Sequence, residues 1–502
     1  MIQSLINNIT PHIPVIEVII PMLTIFVAAA VRRANIVSKL VFISSLINLL
    51  LSVLLSYQLS ESPYISYALG NWQPPIGIEF KIDYLNFPAI FLINLIYFLF
   101  FSLGGRLLEA QVISNTSSGK IWIIYALLLL SQIGLLGISC TGDLFNLYVF
   151  IEISSLTTYA LLSLGSDKRS VVGAFHYLVL GTIGATFILI GIGLLLATTG
   201  SLNMDDIKQL SSNLYSNNAF IVGIAFYLTG SLLKVAIIPF HSWMVQAYEY
   251  ASSAIIALIT GLSNFVGFYV VIRFIYSVLE PNILYNELNI GLIFECLGVL
   301  SVLLGAILAL SQNSLRNIII FSSFTHIGYI TLSLAFNSSL AFKVTIIYLI
   351  TDVILKTTLF VGVAILEGVK GSSELENIKG IVKYYPRFTW LLCFTILNNT
   401  ALPPTMHFFN KLNILQVYVS KGHLATFIAM IFASFLGLLY NYKIINTIFF
   451  DDGKKLTTPG KAKPIDKSSK FLFYLLSSIS IVQIFCYRML NDYTDQIIKA
   501  IF

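Results

Sequence analysis

Charged side chains are scarce in this 502-residue chain: Asp, Glu, Lys and Arg make up 10% of it, against 57% apolar residues. A soluble domain carries about 25% charged residues, so this much apolar surface excludes a water-soluble globular fold and makes the bilayer the solvent. Cysteine is rarer still. Cys140, Cys296, Cys393 and Cys486 are widely separated, with no CxxC and no metal-site spacing, so neither disulfides nor a metal centre is expected. Nucleotide-binding motifs, a nucleophile elbow and a Cys/His cluster are all missing. The net charge of +6 is spread through short gaps between apolar runs rather than gathered in a patch, which argues against a nucleic-acid partner. Whatever chemistry there is must take place within the membrane, without a cofactor of the chain's own.

What is present is a series of apolar runs, each of roughly 18 residues or more. They lie near 13–31, 40–57, 84–104, 121–139, 143–165, 171–199 and 219–240, then near 253–278, 289–312, 314–336, 340–366, 387–418, 423–449 and 471–489. The fold class expected is therefore an all-α polytopic membrane protein with about fourteen transmembrane helices. The run at 13–31 contains Glu17 and Pro21 and no small-residue cleavage pattern, so it reads as the first span rather than a cleaved signal. Two polar segments stand out, at 58–83 and 450–470. With the N-terminus outside, the inner loops hold Arg32, Arg33, Arg106, Lys168, Arg169, Arg316 and the Lys-rich 450–470 segment. The outer loops and tail hold only Lys81, Lys208, Lys421, Arg488 and Lys499, so the positive-inside rule puts both termini outside.

A charge in mid-bilayer costs about 2.5 kcal/mol or more, which makes each one a functional candidate. Glu152 lies about halfway along the segment DLFNLYVFIEISSLTTY, far from any lysine or arginine in its own span. It needs a partner from another helix, and with Lys234 it would form an electrostatic gate. Lys234 sits in GSLLKVAIIPFHSW, five residues before Pro239, whose ring and missing N–H interrupt the helix. Pro403 and Pro404 interrupt a later span in the same way, and His407 and Lys411 follow four residues apart on one face. Two broken, lysine-bearing spans, one in each half, are the mark of a midplane ion pathway. Asp352 and Lys356 stand i,i+4 in YLITDVILKTTLF, a spacing that allows an intrahelical ion pair as readily as a transport role. His326 shares a face with Ser322 and Tyr329 and is of the residue type that exchanges protons near neutral pH, although hydrogen bonding alone would also account for it. Desolvation brings buried lysines and glutamates toward neutral titration, which suits both to proton movement.

These motifs resemble the antiporter-type subunits shared by Mrp cation/proton antiporters, respiratory complex I and membrane-bound hydrogenases, over almost the whole chain. TGDLFNLYVFIEISSLTTYAL resembles the fifth-helix motif of the D-type Mrp subunits, GNWQPPIGIEFKIDYL their outer loop, and SLNMDDI their segment after helix six. The resemblance implies fourteen helices with two inverted five-helix repeats and broken helices 7 and 12. Its domains would be an N-terminal three-helix segment with an outer loop (1–120), repeats at 121–278 and 289–449, and a basic loop with the last helix (450–502). It carries the family's charged positions over to Glu152, Lys234, Lys356 and Lys411. The sequence departs from the family pattern at Phe265, in place of a helix-eight Lys or His; at Asp352, in place of a helix-eleven His; and at Ala401 and His407, in place of glycines. Asn264, beside Phe265, is an amide and cannot carry a proton as a lysine does.

The implied function is that of a proton-translocating subunit of a multisubunit Na⁺/H⁺ antiporter in a bacterial inner membrane. Its partners would be other membrane subunits, protons, monovalent cations and lipid. The alternatives are a proton-pumping subunit of NADH-quinone oxidoreductase or a hydrogenase and, in another class, a non-conducting scaffold. The chain reads as a transporter rather than an enzyme by itself, with a link to quinone-dependent NADH dehydrogenase activity through the complex I family.

Overall fold

The computed structural model describes residues 10–113, 120–212, 214–449 and 465–501. Helix dominates, as it must where no water is present to satisfy backbone groups. Among the described residues, eleven helices are long and apolar enough to cross a membrane, and a bent pair makes a possible total of twelve. The bent pair is Phe87–Ser102 and Gly105–Gln111, turned by 70° at the break.

Each of the fourteen apolar runs is occupied by helix, and three miss the criteria for identifiable reasons. The run at 84–104 is the bent pair. The run at 314–336 is the helix Leu315–Ser333, diluted by Ser, Thr, His, Asn and Arg. That at 387–418 is two half-helices, Pro386–Thr400 and Met406–Ser420. The run at 471–489 is displaced: Lys467–Phe485 is long and apolar enough to cross, and a separate amphipathic helix, Tyr487–Ile501, follows it. The polar segment at 58–83 is partly ordered into a hairpin, with strands Tyr64–Ala68 and Glu79–Asp83 paired antiparallel. Most of the 450–470 segment lies outside the described residues.

Polar side chains set several helix starts. Asp143 accepts from the Asn146 amide at 2.7 Å and so begins Leu144–Leu162. Asn217 begins Asn218–Val235, and Ser338 begins Ser339–Lys370. Equivalent backbone clamps tie down the starts of two helices. Leu144 N donates to Leu202 O and Met204 N to Gly142 O; correspondingly, Leu315 N donates to Ser373 O and Leu375 N to Asn313 O.

Burial runs inward from a lipid-facing shell. Leu23, Phe26, Leu50, Phe175, Leu292 and Ile428 are exposed apolar residues on outer helices, as a bilayer requires. Two long helices, Ser253–Arg273 and Ser339–Lys370, are the most enclosed and pack on each other between the halves. Gly261 permits this: a Cβ there would lie 2.8 Å from Val353 O. Arg316 closes the same seam at one end. It makes two hydrogen bonds to Glu367, at 3.0 and 2.7 Å, and reaches the carbonyls of Glu249 and Ala251.

The helix that carries Lys234 is set against Arg169–Thr199 by glycines, and a Cβ on Gly230 would come within 2.4 Å of Gly184 O. Gly230→Val should therefore destabilise the chain by about 1–3 kcal/mol through overpacking. A lower melting temperature of the detergent-solubilised protein would show it, and an unchanged one would mean that the helices are not in such close contact.

Candidate functional site

Both interrupted spans break at the same kind of turn. Asn218–Val235 ends on Ala236 with φ 61°, and Pro386–Thr400 ends on Ala401 with φ 64°; both are left-handed. A proline follows shortly after each alanine, and a second half-helix resumes at Ser242 or Met406. In the first break the Trp243 indole donates to the Leu233 carbonyl at 3.0 Å, alongside the Ala236 N–H at 3.1 Å.

Lys234 sits two residues before the first turn. Its ammonium donates to Ser155 Oγ at 2.9 Å and Tyr159 Oη at 3.4 Å, both on the Leu144–Leu162 helix. Glu152 lies one turn earlier on that helix, near enough for its charge to act on Lys234, but the two make no contact pair among the described residues. One Glu152 carboxylate oxygen is buried with no protein partner. Beside Lys234 is a cavity of about 60 Å³, lined by Ser154, Ser155, Thr158, Ser231 and Ser263 among apolar residues such as Leu135, Ile138 and Val266. That is room for several waters with polar partners. Its far wall is the helix that carries Asn264 and Phe265; both are buried, and the Asn264 amide nitrogen lacks a partner.

The second centre is denser in titratable groups. Asp352, His326 and His407 come from three different helices and are all buried. Asp352 Oδ1 lies 2.9 Å from His326 Nδ1 and 3.7 Å from His407 Nε2. Lys356 turns from Asp352 to Asn399, donating to its Oδ1 at 3.4 Å. The intrahelical Asp352–Lys356 pair that the spacing allows is therefore not the contact formed, because imidazole and amide groups from neighbouring helices lie nearer to both. Lys411 places its ammonium 4.6 Å from the centre of the Tyr329 ring, a cation–π contact.

Linear spacing conceals several of these relations. Scattered ligand-type residues predict no metal centre, yet the fold brings His326, Asp352 and His407 to within 4.8 Å of one another. Ser155, Tyr159 and Asn399 carry no signal beyond being polar residues in apolar runs. Glu17 is conspicuous as a carboxylate in the first span, but nothing in the sequence names its partners. It is fully buried; Asn94 donates to it at 3.3 Å and Gln132 donates in turn to Asn94 at 3.1 Å.

Buried lysines at broken helices inside a polytopic bundle are the architecture of a membrane ion carrier. Similarity to known proteins makes the class specific. Residues 141–437 match the transmembrane family described as NADH:quinone oxidoreductase/Mrp antiporter, and the chain belongs to this family. It is 31% identical, over 90% of its length and 88% of the relative's, to the NADH-quinone oxidoreductase subunit N of Desulforudis audaxviator. It is 26% identical to the putative antiporter subunit mnhD2 of Staphylococcus haemolyticus, over 93% of this chain and 91% of that one. The fold matches a chain in the Mrp complex from Dietzia with a TM-score of 0.86, at 20% identity, covering 97% of this chain and 96% of that one. A chain of the archaeal membrane-bound sulfane sulfur reductase also gives 0.86, at 23% identity and 96% coverage of both.

Proposed function

We propose that the chain is a proton-translocating subunit of a multisubunit Na⁺/H⁺ antiporter, of the D type found in Mrp complexes. The observation that carries this reading is the lysine at each broken helix, each with titratable or hydroxyl groups beside it and no cofactor-binding motif nearby. In the first half protons pass between Glu152, Lys234 and the cavity beside the lysine. In the second they pass through Lys356, the His326–Asp352–His407 cluster and Lys411. Two ammonium groups in one low-dielectric site repel each other, so Lys356 and Lys411 exchange a proton rather than both retaining one.

The matching alanine turns and backbone clamps support two repeats, at 121–278 and 289–449, preceded by the 1–120 segment and followed by 450–502. Each repeat holds five spans, an odd number, so consecutive copies must cross the membrane in opposite directions. Fourteen spans with both termini outside a bacterial cytoplasmic membrane complete this reading. Partner subunits follow by analogy with the complexes that contain the structural neighbours.

A second reading, a subunit of a quinone-reducing complex driven by redox partners, is favoured by the 31% identity to the oxidoreductase relative. Purifying the native complex through a tag on this chain separates the two. Small antiporter subunits with Na⁺-dependent exchange in membrane vesicles support the first, whereas flavin and iron–sulfur subunits support the second. Exchange that is unchanged when this chain is deleted would defeat both.

Phe265 tests the first half. With water bridging past it through Ser263 and Asn264, Phe265→Lys adds a titrating group to the proton chain and should shift the pH optimum of exchange. Unaltered pH profiles in both Phe265→Lys and Lys234→Ala would show that protons do not use the first half.

A further inference from the structure

We propose that His326, Asp352 and His407 form a binding site for a divalent transition metal of the zinc class, one whose occupancy blocks the second half. The geometry is that of a ligand set. Zinc binds His nitrogen at about 2.0–2.1 Å in tetrahedral sites, which places neighbouring ligand atoms roughly 3.3 Å apart. The two separations here, 2.9 and 3.7 Å, bracket that distance.

Hydrogen bonding fixes which nitrogens are available. His326 Nε2 lies 3.3 Å from the carbonyl oxygen of Asn399, which can only accept, so Nε2 keeps a hydrogen there when a metal displaces the proton that Nδ1 shares with Asp352 Oδ1 at 2.9 Å. His407 Nδ1 lies 3.1 Å from Asn398 Oδ1, again an acceptor, so Nε2 presents the lone pair. His407 Nε2 is buried without a hydrogen-bond partner. Tyr348 Oη is 3.3 Å from His326 Nδ1, and its hydroxyl can rotate away.

Two imidazole nitrogens and a carboxylate oxygen thus lie within 4.8 Å of one another, and each ring's outer nitrogen faces an oxygen. Metal-binding histidines are oriented in this way by their outer partners. A proton bridges only two of the three atoms at a time; a metal ion takes all three and leaves a position for water. The N₂O donor set suits Zn²⁺ and Co²⁺. Lys356 and Lys411 oppose a dication by repulsion, but Lys356 is turned to Asn399 and Lys411 lies over the Tyr329 ring.

Metal binding follows from this geometry alone, whereas the block of transport rests on the proton-translocation reading above. The test uses the full-length chain in lipid nanodiscs, titrated with Zn²⁺ alone and with Co²⁺ alone. One Zn²⁺ per chain is expected, together with a visible Co²⁺ ligand-field band of four- or five-coordinate intensity. His407→Gln and Asp352→Asn should each weaken binding by at least about tenfold. His423→Ala, which removes the separate pair with Glu295 at 3.0 Å, should leave affinity unchanged. No Zn²⁺ binding, no such Co²⁺ band, or equal affinity in the two ligand variants would overturn the site. The wild-type Co²⁺ spectrum decides even if a variant fails to fold. Zn²⁺ that binds at this site yet leaves exchange in vesicles unaffected would count against the transport reading and not against the site.

Discussion

Glu152→Gln and Lys234→Ala are each expected to abolish cation-dependent proton exchange in membrane vesicles while leaving the chain inserted. Glu152→Gln keeps the shape of the side chain and removes only its charge, so it tests the electrostatic role. Lys234 is held by Ser155 and Tyr159 rather than by Glu152 itself. Its charge is therefore solvated by hydroxyls and modulated by the carboxylate at a distance, an arrangement that changes with small motions of the Leu144–Leu162 helix. Lys234→Arg separates a proton carrier from a structural cation. A guanidinium can donate the same hydrogen bonds but does not release its proton, so exchange should be lost although the positive charge remains. Dye-reported decay of a pH gradient on adding Na⁺ measures all three variants. Wild-type rates in Glu152→Gln and Lys234→Ala would remove both residues from the pathway, and a fully active Lys234→Arg would make the lysine a packing charge.

How much of the molecule is legible in its sequence depends on whether the relevant physics is local. Long apolar runs report directly on the bilayer, so spans such as 121–139 and 289–312 stand out, and the helices Ile121–Cys140 and Ile290–Ser311 cover them. Pro239 and Pro403–Pro404 mark both interruptions because proline breaks the ladder wherever it stands. The Tyr487–Ile501 helix escapes a search for apolar runs because its apolar face, which includes the buried Ile497, alternates with charged residues. The hairpin between Tyr64 and Asp83 is harder to read: Gly70–Asn71 and Pro74–Pro75 mark a turn, but residues 69–78 make a connection too long for a tight hairpin loop.

Site contacts are the least legible. Asp352 and Lys356 are four residues apart, which on an isolated helix favours pairing. In the fold, each meets a polar group brought in from elsewhere: His326 from Leu315–Ser333 for the aspartate, Asn399 from Pro386–Thr400 for the lysine. Sequence spacing describes one helix surface, whereas the partners that decide a buried charge's state belong to the helices packed against it.

Lys411→Ala is expected to remove transport as completely as the first-half substitutions, because Lys411 is the last titratable group on the Met406–Ser420 helix apart from Tyr418 and lies one turn beyond His407. Lys411 is 8% exposed, and its ammonium rests over the Tyr329 ring, whose hydroxyl is tied to Met430 O at 2.8 Å. The ring holds the charge without accepting the proton, so Lys411 can release it without breaking a strong hydrogen bond. Alanine leaves neither an acceptor nor a water-holding group at that point, and the proton delivered through Lys356 and the His326–Asp352–His407 cluster has nowhere to go. Lys411→Glu should retain part of the rate, since a buried carboxyl also takes up and releases protons, although it loses the ring contact and gains attraction to Lys356. Tyr329→Phe supplies the comparison: the ring face stays, only its bonds to Met430 and Ser434 go, and exchange should fall far less than in Lys411→Ala. Exchange rates across these variants at matched membrane expression decide the matter. If Lys411→Ala transports at the wild-type rate, the lysine only packs on Tyr329, and the second half must discharge its proton from the histidine cluster itself.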